Sequence, residues 1–345
     1  MVKHTTLANQ SAILCGLNCM LLCLFSSDTS VFEQVRSIAP QLEAIPGCDL
    51  VRCVRIIRQG GNHLDLRSIF DWLSRVNDWE ANGEFEGGNR QLDVVTLFSA
   101  LENALRTAFF SKVTLLDAMG LTEHRRSCCT HCQNIQNYRP DPTMSLTHIA
   151  EVGTSPSMSH SIEHDDHGLE FKDQKRWCSK CNDKTVHAIS KCFSHVRGLV
   201  PIFVQRALPG RHDMNSSHDV QVTVDLSFDV PPTLLTPEEL IIAPLGYCFE
   251  LDSVIIRLGN TVNFGHFVTV FPVVGGGFVL VDGASKRHSP VWQPQWSRSI
   301  RVALYRTSPI RASPMPAAVP VVRPVEIPAN GWEVVKNNKT RVSLK

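Results

Sequence analysis

The sequence predicts an α+β fold, and three observations carry that prediction. Apolar residues recur at helical spacing through the first third of the chain. From about residue 199 to residue 305, β-branched and aromatic runs alternate with Gly, Pro and Asn turns. Between these two regions lie a pair of C-x-x-C motifs. The 345 residues are enough for two domains or one large elaborated one, and a 43% hydrophobic content supplies a sizeable core. Basic and acidic residues number 34 and 33, for a net charge of +1. Such a balance excludes the broad basic footprint of a general nucleic-acid binder. No run of 18 apolar residues predicts a membrane span, so neither nucleic acid nor membrane is an expected partner.

Residues 12–25 (AILCGLNCMLLCLF) are apolar nearly all round, as suits a helix buried on every side. Residues 31–38 and 64–76 have mixed helical spacing, and 92–119 gives the clearest helix, with apolar residues every three or four positions. The stretch 141–173, rich in Ser, His, Asp and Pro, reads as a loop. The strands expected are VPIFVQ (200–205), VQVTVDLSF (220–228), YCFELDSVIIRL (247–258), HFVTVFPVV (266–274), GFVLVDG (277–283) and IRVALY (300–305), in a mostly antiparallel sheet. Six of the twenty prolines fall between Thr307 and Asn330, so 307–345 reads as a Pro-rich tail or linker.

Lys3 and His4 before the first apolar run give it the look of a secretory signal, but Asn18 interrupts the run and no A-x-A site follows. The twelve cysteines do not form the framework of a small, loop-rich secreted domain. The expectation is an intracellular protein, cytoplasmic and/or nuclear.

Cys129-Thr-His-Cys132 and Cys178-Ser-Lys-Cys181 are 45 residues apart. A tight C-x-x-C turn presents two thiolates to one side of a metal, and two such turns complete a tetrahedral zinc site. Cys128 and His131 lie beside the first pair, and Cys129 is preferred because it gives the standard spacing. Four protein ligands leave no open position, so the Zn2+ would be structural.

Three other residues suggest thiol chemistry. Cys15 stands where a polar segment meets the first helix, and the positive end of a helix dipole favours a thiolate. His266, after Gly265, enters a strand. Asp282 ends an apolar strand sixteen residues later, where it can pair with His266 across a hairpin. Each residue alone reads more simply as structural: a small buried hydrophobe, a satisfied His, a turn Asp. Together they follow the order of a thiol protease, with an early Cys and a late His and carboxylate adjacent only in space.

These residues sit in segments that resemble the ubiquitin-specific proteases. Asn9 to Leu24, NQSAILCGLNCMLLCL, is similar to that family's Cys box, roughly N-x-G-x-T-C-Y-x-N-S-x-L-Q-x-L, with Cys15, Asn18, Leu21 and Leu24 in register. Gln91-Leu92-Asp93-Val94, with Leu97-Phe98, resembles its Q-x-D-A/V-x-E-F/L helix. The paired C-x-x-C motifs resemble its zinc-bearing fingers, and Leu199 to Arg206 its strand ending in a basic residue. Tyr247 to Gly259 with Gly265-His266-Phe267 is similar to its Y-x-L-x-x-V-x-x-H-x-G…G-H-Y box, and Phe278 to Asp282 to its W-x-x-F-D/N-D box. Six degenerate motifs in the family's own order cover residues 5–305. The departures are one extra residue between Asn9 and Cys15, Gly16 in place of an aromatic, Cys19 and Leu22 in place of Ser and Gln, and Gly283 in place of the second acid. Cys15-Gly-Leu-Asn-Cys19 and His266-Phe-Val-Thr also resemble the divergent branch that cleaves SUMO.

The resemblance implies a papain-like fold of thumb, palm and fingers over residues 1–306: thumb about 1–120, zinc-bearing fingers about 121–195, palm about 196–306. It implies a deubiquitinase acting on conjugates of ubiquitin or a ubiquitin-like protein, with Cys15 as nucleophile, His266 as base and Asp282 as orienter. Asn9 or Gln10 would supply the oxyanion-hole amide. The alternatives are an isopeptidase for SUMO or another ubiquitin-like modifier, an inactive ubiquitin-binding pseudoprotease, and a zinc-ribbon nucleic-acid module, which the near-zero net charge disfavours.

Overall fold

The computed structural model describes residues 14–60, 66–79, 92–110, 112–137, 140–143, 145–149, 157–159, 162, 175–205, 221–259, 265–283 and 285–311. All but Arg311 belong to one compact unit, Met1–Ile310. Its first part is helical: α1 (Cys15–Phe25), α2 (Ser30–Ser37), α3 (Ala39–Glu43), α4 (Leu50–Gln59), α5 (Arg67–Asn77) and α6 (Val94–Ala108). Every residue of α1 is buried, as its all-round apolar sequence predicts. Among the described residues, no single helix is long and apolar enough to cross a membrane.

Helix α6 begins at an N-cap, where the Asp93 carboxylate accepts a hydrogen bond from the Val95 N–H at 3.0 Å. It stops well short of residue 119. Phe110 turns left-handed (φ 51°) and stands exposed. The apolar pattern beyond it belongs to a separate 3-10 turn, Leu115–Asp117, closed by a Thr114–Asp117 capping box that buries Leu115. Continued apolar spacing reported burial there, not continued helix.

The strands are β1 (Leu121–Cys129), β2 (Ile135–Asn137), β3 (Asp141–Thr143), β4 (Leu146–Ile149), β5 (Arg176–Cys178), β6 (Asp183–Thr185), β7 (His187–Ser194), β8 (Leu199–Gln205), β9 (Ser227–Val230), β10 (Tyr247–Leu258), β11 (His266–Pro272), β12 (Phe278–Asp282), β13 (Ser285–Ser289) and β14 (Ile300–Pro309). The main sheet runs β13-β12-β11-β10-β14-β8-β4, with β9 also on β10. All its pairings are antiparallel except β4 on β8. Alternation gives this sheet two buried faces. Ile255, Phe267, Phe271, Val302 and Leu304 pack with the helices, while Val254, Ile256, Val268, Val270, Ala303 and Tyr305 build a second core behind.

Three stretches differ from the sequence expectation. Part of 141–173, read as loop, supplies β3 and β4. Of 220–228, only Ser227 onward is regular strand. Val222 is fully buried, and its backbone N–H donates to the Ser297 carbonyl at 3.1 Å, so its apolar character reflects core packing without a ladder partner. Strand β14 continues past Arg306, with Tyr247 opposite Pro309, so 307–309 belong to the sheet.

A smaller four-stranded sheet is built on β1. One edge of β1 pairs with β7 along its whole length, and the other pairs with β2 near Cys128 and with β3 near Leu121. The β5–β6 hairpin stands beside its Cys129 end.

Candidate active site and metal centre

Cys15 is the first residue of α1 and is 1% exposed. No side chain caps that helix start, so its free N–H groups and dipole favour negative charge there. Helix α1 lies on β11, and the Phe267 N–H donates to the Cys15 sulfur at 3.4 Å. That contact joins residues 252 positions apart in sequence. Nothing in the residue pattern marked Phe267, since its backbone does the work.

His266 and Asp282 meet through strand alternation. The β11–β12 register pairs Thr269 with Val281, and continuing it sets Asp282 opposite Val268. His266, two residues from Val268, is then its diagonal neighbour on the same face, within reach of a long side chain. His266 Nε2 lies 2.5 Å from Asp282 Oδ1. With Nε2 engaged, Nδ1 is the ring nitrogen available to Cys15. Hydrogen bonding to Cys15 is the largest influence on His266, and with Asp282 it overcomes the opposing effect of burial, raising the imidazole from 6.5 to about 9. Cys15, His266 and Asp282 therefore converge on one point. Asn9, Gln10 and Gln91 lie outside the described residues.

The raised pKa makes stability depend on pH. The contacts of imidazolium His266 stabilise the fold fully below its unfolded value of 6.5, and the contribution is lost as pH rises through about 9. The His266 and Asp282 side chains are 40% and 31% exposed, so solvent screening keeps the effect small. Asp282→Asn is expected to flatten the slope of denaturation midpoint against pH across this window. Equal slopes in the two proteins would contradict the coupling.

Two departures from the family pattern have physical reasons here. A Cβ on Gly16 would lie 3.1 Å from Leu97 Cδ1 and 3.3 Å from Phe267 Cδ2, so the space for a side chain is already filled from α6 and β11. Gly16→Ala is expected to cost about 1–3 kcal/mol through overpacking, measured by chemical denaturation. Gly283 has φ 54°, which glycine adopts without strain as the chain turns from β12 into β13. Sequence reading also missed Arg257, which stands where the family box has the His of H-x-G. It is 7% exposed, and its guanidinium fills the space under Gly265, where a Cβ would come within 2.5 Å of Nε. Burial and neighbouring Arg301 lower its pKa, against the opposing charges of Asp93 and Cys15.

The four cysteines of the C-x-x-C pairs also come together. Their sulfurs all lie within 4.8 Å of one another, with Cys132–Cys178 at 3.4 Å and Cys129–Cys181 at 3.7 Å. Sulfurs bound tetrahedrally to zinc at about 2.3 Å are roughly 3.8 Å apart, so the donor set fits that metal. Cys128 points elsewhere, toward Gln133 Oε1 at 3.5 Å. The Thr185 hydroxyl and the backbone amides of Cys132 and His131 bring Cys129 down to about 5. The backbone amide of Cys181, with Cys132 and the Lys180 amide, lowers Cys178. Crowding by the other three thiols drives Cys181 upward. Such a cluster calls for a central cation before all four can ionise together. All twelve cysteines are free of disulfides.

With helices on one face of the main sheet, a β-ribbon carrying four cysteines, and a Cys, a His and an Asp at the helix–sheet junction, the architecture is that of the ubiquitin-specific proteases. The particular similarity is to Ubp8 structures of the SAGA DUB module. One, bound to ubiquitin aldehyde, matches with a TM-score of 0.66 and 14% identity, covering 90% of this chain and 70% of that one. A second, bound to monoubiquitin, gives 0.65 and 13%, covering 90% and 71%. A yeast module without ubiquitin in its description gives 0.63 and 13%, covering 90% and 70%. These matches lend no support to the SUMO branch. No family model matches the sequence, and no curated protein matches it.

Proposed function

We propose that the protein is a thiol-dependent deubiquitinase that hydrolyses the (iso)peptide bond after the C-terminal Gly of ubiquitin. The observation that carries this reading is the convergence of Cys15, His266 and Asp282 within a fold similar to Ubp8, which is itself bound to ubiquitin in its structures. In the reaction, the Cys15 sulfur attacks the carbonyl carbon of the terminal Gly while His266 holds the thiol proton. The tetrahedral oxyanion accepts hydrogen bonds from the Cys15 N–H and from the side-chain amide of Asn9 or Gln10. Each such donor is worth on the order of 10²–10³ in turnover. His266 passes its proton to the leaving amine, and a thioester remains on Cys15. His266 then draws a proton from water, whose oxygen attacks the thioester and releases the ubiquitin carboxylate. Asp282 fixes the ring and offsets its positive charge.

Cys129, Cys132, Cys178 and Cys181 would hold zinc. Bound there, it supplies structure alone, because four thiolates fill its coordination sphere. The ribbon that it shapes would grip the modifier.

Ubiquitin carrying a C-terminal electrophile is expected to add covalently to Cys15, with the adduct mapped by mass spectrometry, while the matching SUMO probe leaves the protein unmodified. A SUMO adduct alone would move the specificity to that modifier. Absence of any adduct, with ubiquitin still bound, would establish a pseudoprotease and overturn the reading.

A further inference from the structure

The cysteine cluster has a polar arrangement behind it that goes beyond the four ligands. Ser127 and Cys129 are two apart on β1, so their side chains share a face. Thr185 ends β6 and His187 begins β7, again two apart, and His187 lies directly opposite Cys129 in the β1–β7 ladder. Between them, the Val186 carbonyl accepts from both the backbone N–H and the hydroxyl of Thr130, at 3.0 and 2.9 Å, clamping the turn that follows Cys129.

Three contacts link these side chains in a line. Cys129 Sγ lies 3.2 Å from Thr185 Oγ1, Thr185 Oγ1 lies 3.2 Å from His187 Nε2, and His187 Nδ1 lies 2.6 Å from Ser127 Oγ. His187 is 9% exposed and Ser127 is fully buried. Hydrogen-bonding capacity fixes the direction of every proton. A metal-bound thiolate can only accept, so the Thr185 hydroxyl donates to it. The Thr185 oxygen then accepts, so His187 carries its hydrogen on Nε2. Nδ1 is left as the acceptor, and Ser127 donates to it.

We propose that Ser127, His187 and Thr185 form a one-directional hydrogen-bond relay that positions Cys129 as the anchoring thiolate of the metal centre. The proposal rests on the zinc reading of the four cysteines. The relay ends in a hydrogen bond to an anion, about twice as strong as one between neutral groups. It also ties the metal to the sheet, because Ser127 and His187 sit in adjacent strands. Thr185, His187 and Ser127 are positioning residues and bind no metal themselves.

Zinc affinity of the full chain, measured by competition with a chromophoric chelator, tests it. Thr185→Val keeps the shape and removes the donor, and should weaken zinc binding about 10–100-fold. Thr185→Ser restores the hydroxyl and should stay close to wild type. Ser127→Ala should lose several-fold, acting through His187. With Co2+ in place of zinc, the sulfur-to-metal charge-transfer band should shift in Thr185→Val and not in Thr185→Ser. Wild-type affinity and an unshifted band in Thr185→Val would overturn the relay. Should Thr185→Val fail to fold, wild-type affinity in Ser127→Ala would overturn it equally. A wild-type chain that binds no zinc or cobalt would instead remove the metal reading, and the relay with it.

Discussion

Cys15→Ala is expected to lower turnover of a ubiquitin C-terminal amide by on the order of 10⁵-fold or more and to leave the protein folded. Removing a nucleophile that works as a unit with its base eliminates nearly all the catalysis the unit provides. The structural cost is small for two reasons. Alanine is the best helix former, and Cys15 occupies the first position of a helix whose other ten residues stay buried. The lost sulfur contacts amount to about 1 kcal/mol, near the low end for deleting a buried atom. Thermal melting would show a shift of a few degrees at most, and ubiquitin affinity should be retained. Residual turnover within tenfold of wild type would remove Cys15 from the mechanism and leave His266 and Asp282 as a structural pair.

Stripping the metal, by a strong chelator or by Cys129→Ser with Cys178→Ser, should unfold the cysteine ribbon and abolish ubiquitin binding. Cys129 and Cys178 are its buried residues at the metal, whereas Ile135, Trp177 and Val186 around it are largely exposed. So small a module has little apolar core of its own, and apparent zinc binding energies of about 10–16 kcal/mol stand in for one. Cys15 lies on the separate helical core, so its alkylation by a small reagent should proceed at close to the normal rate. The two readouts, ubiquitin affinity and thiol alkylation, should therefore separate. Retained ubiquitin binding after complete metal removal would show that the ribbon does not depend on the cluster.

Strong periodicity made much of this fold legible. YCFELDSVIIRL is β10 to the residue, and the all-round apolar run is α1 from Cys15 onward. Both segments are buried on every side, so composition and structure report the same fact. The apolar positions after Phe110 and the 220–228 run misled for the opposite reason. Their side chains reach the core while the backbone follows a turn or an unpaired path, and hydropathy records only the side chain. The same distinction governs the site. Cys15, His266, Asp282 and the four cysteines were visible because their side chains carry distinctive chemistry. The Phe267 N–H was invisible because any residue would present it. Thr185, His187 and Ser127 were hidden because their significance comes from strand register, which brings together residues 60 positions apart.

The enclosure of α1 has a kinetic corollary. A helix with no exposed side chain has no cheap route of partial opening, so the amides of Leu17–Phe25 should exchange with solvent deuterium only when the whole domain opens. The reactive sulfur at its tip thus rides on the slowest-exchanging part of the chain. Reagents and substrates must come to it through the groove beside β11, and fraying of the helix will not carry it out to them.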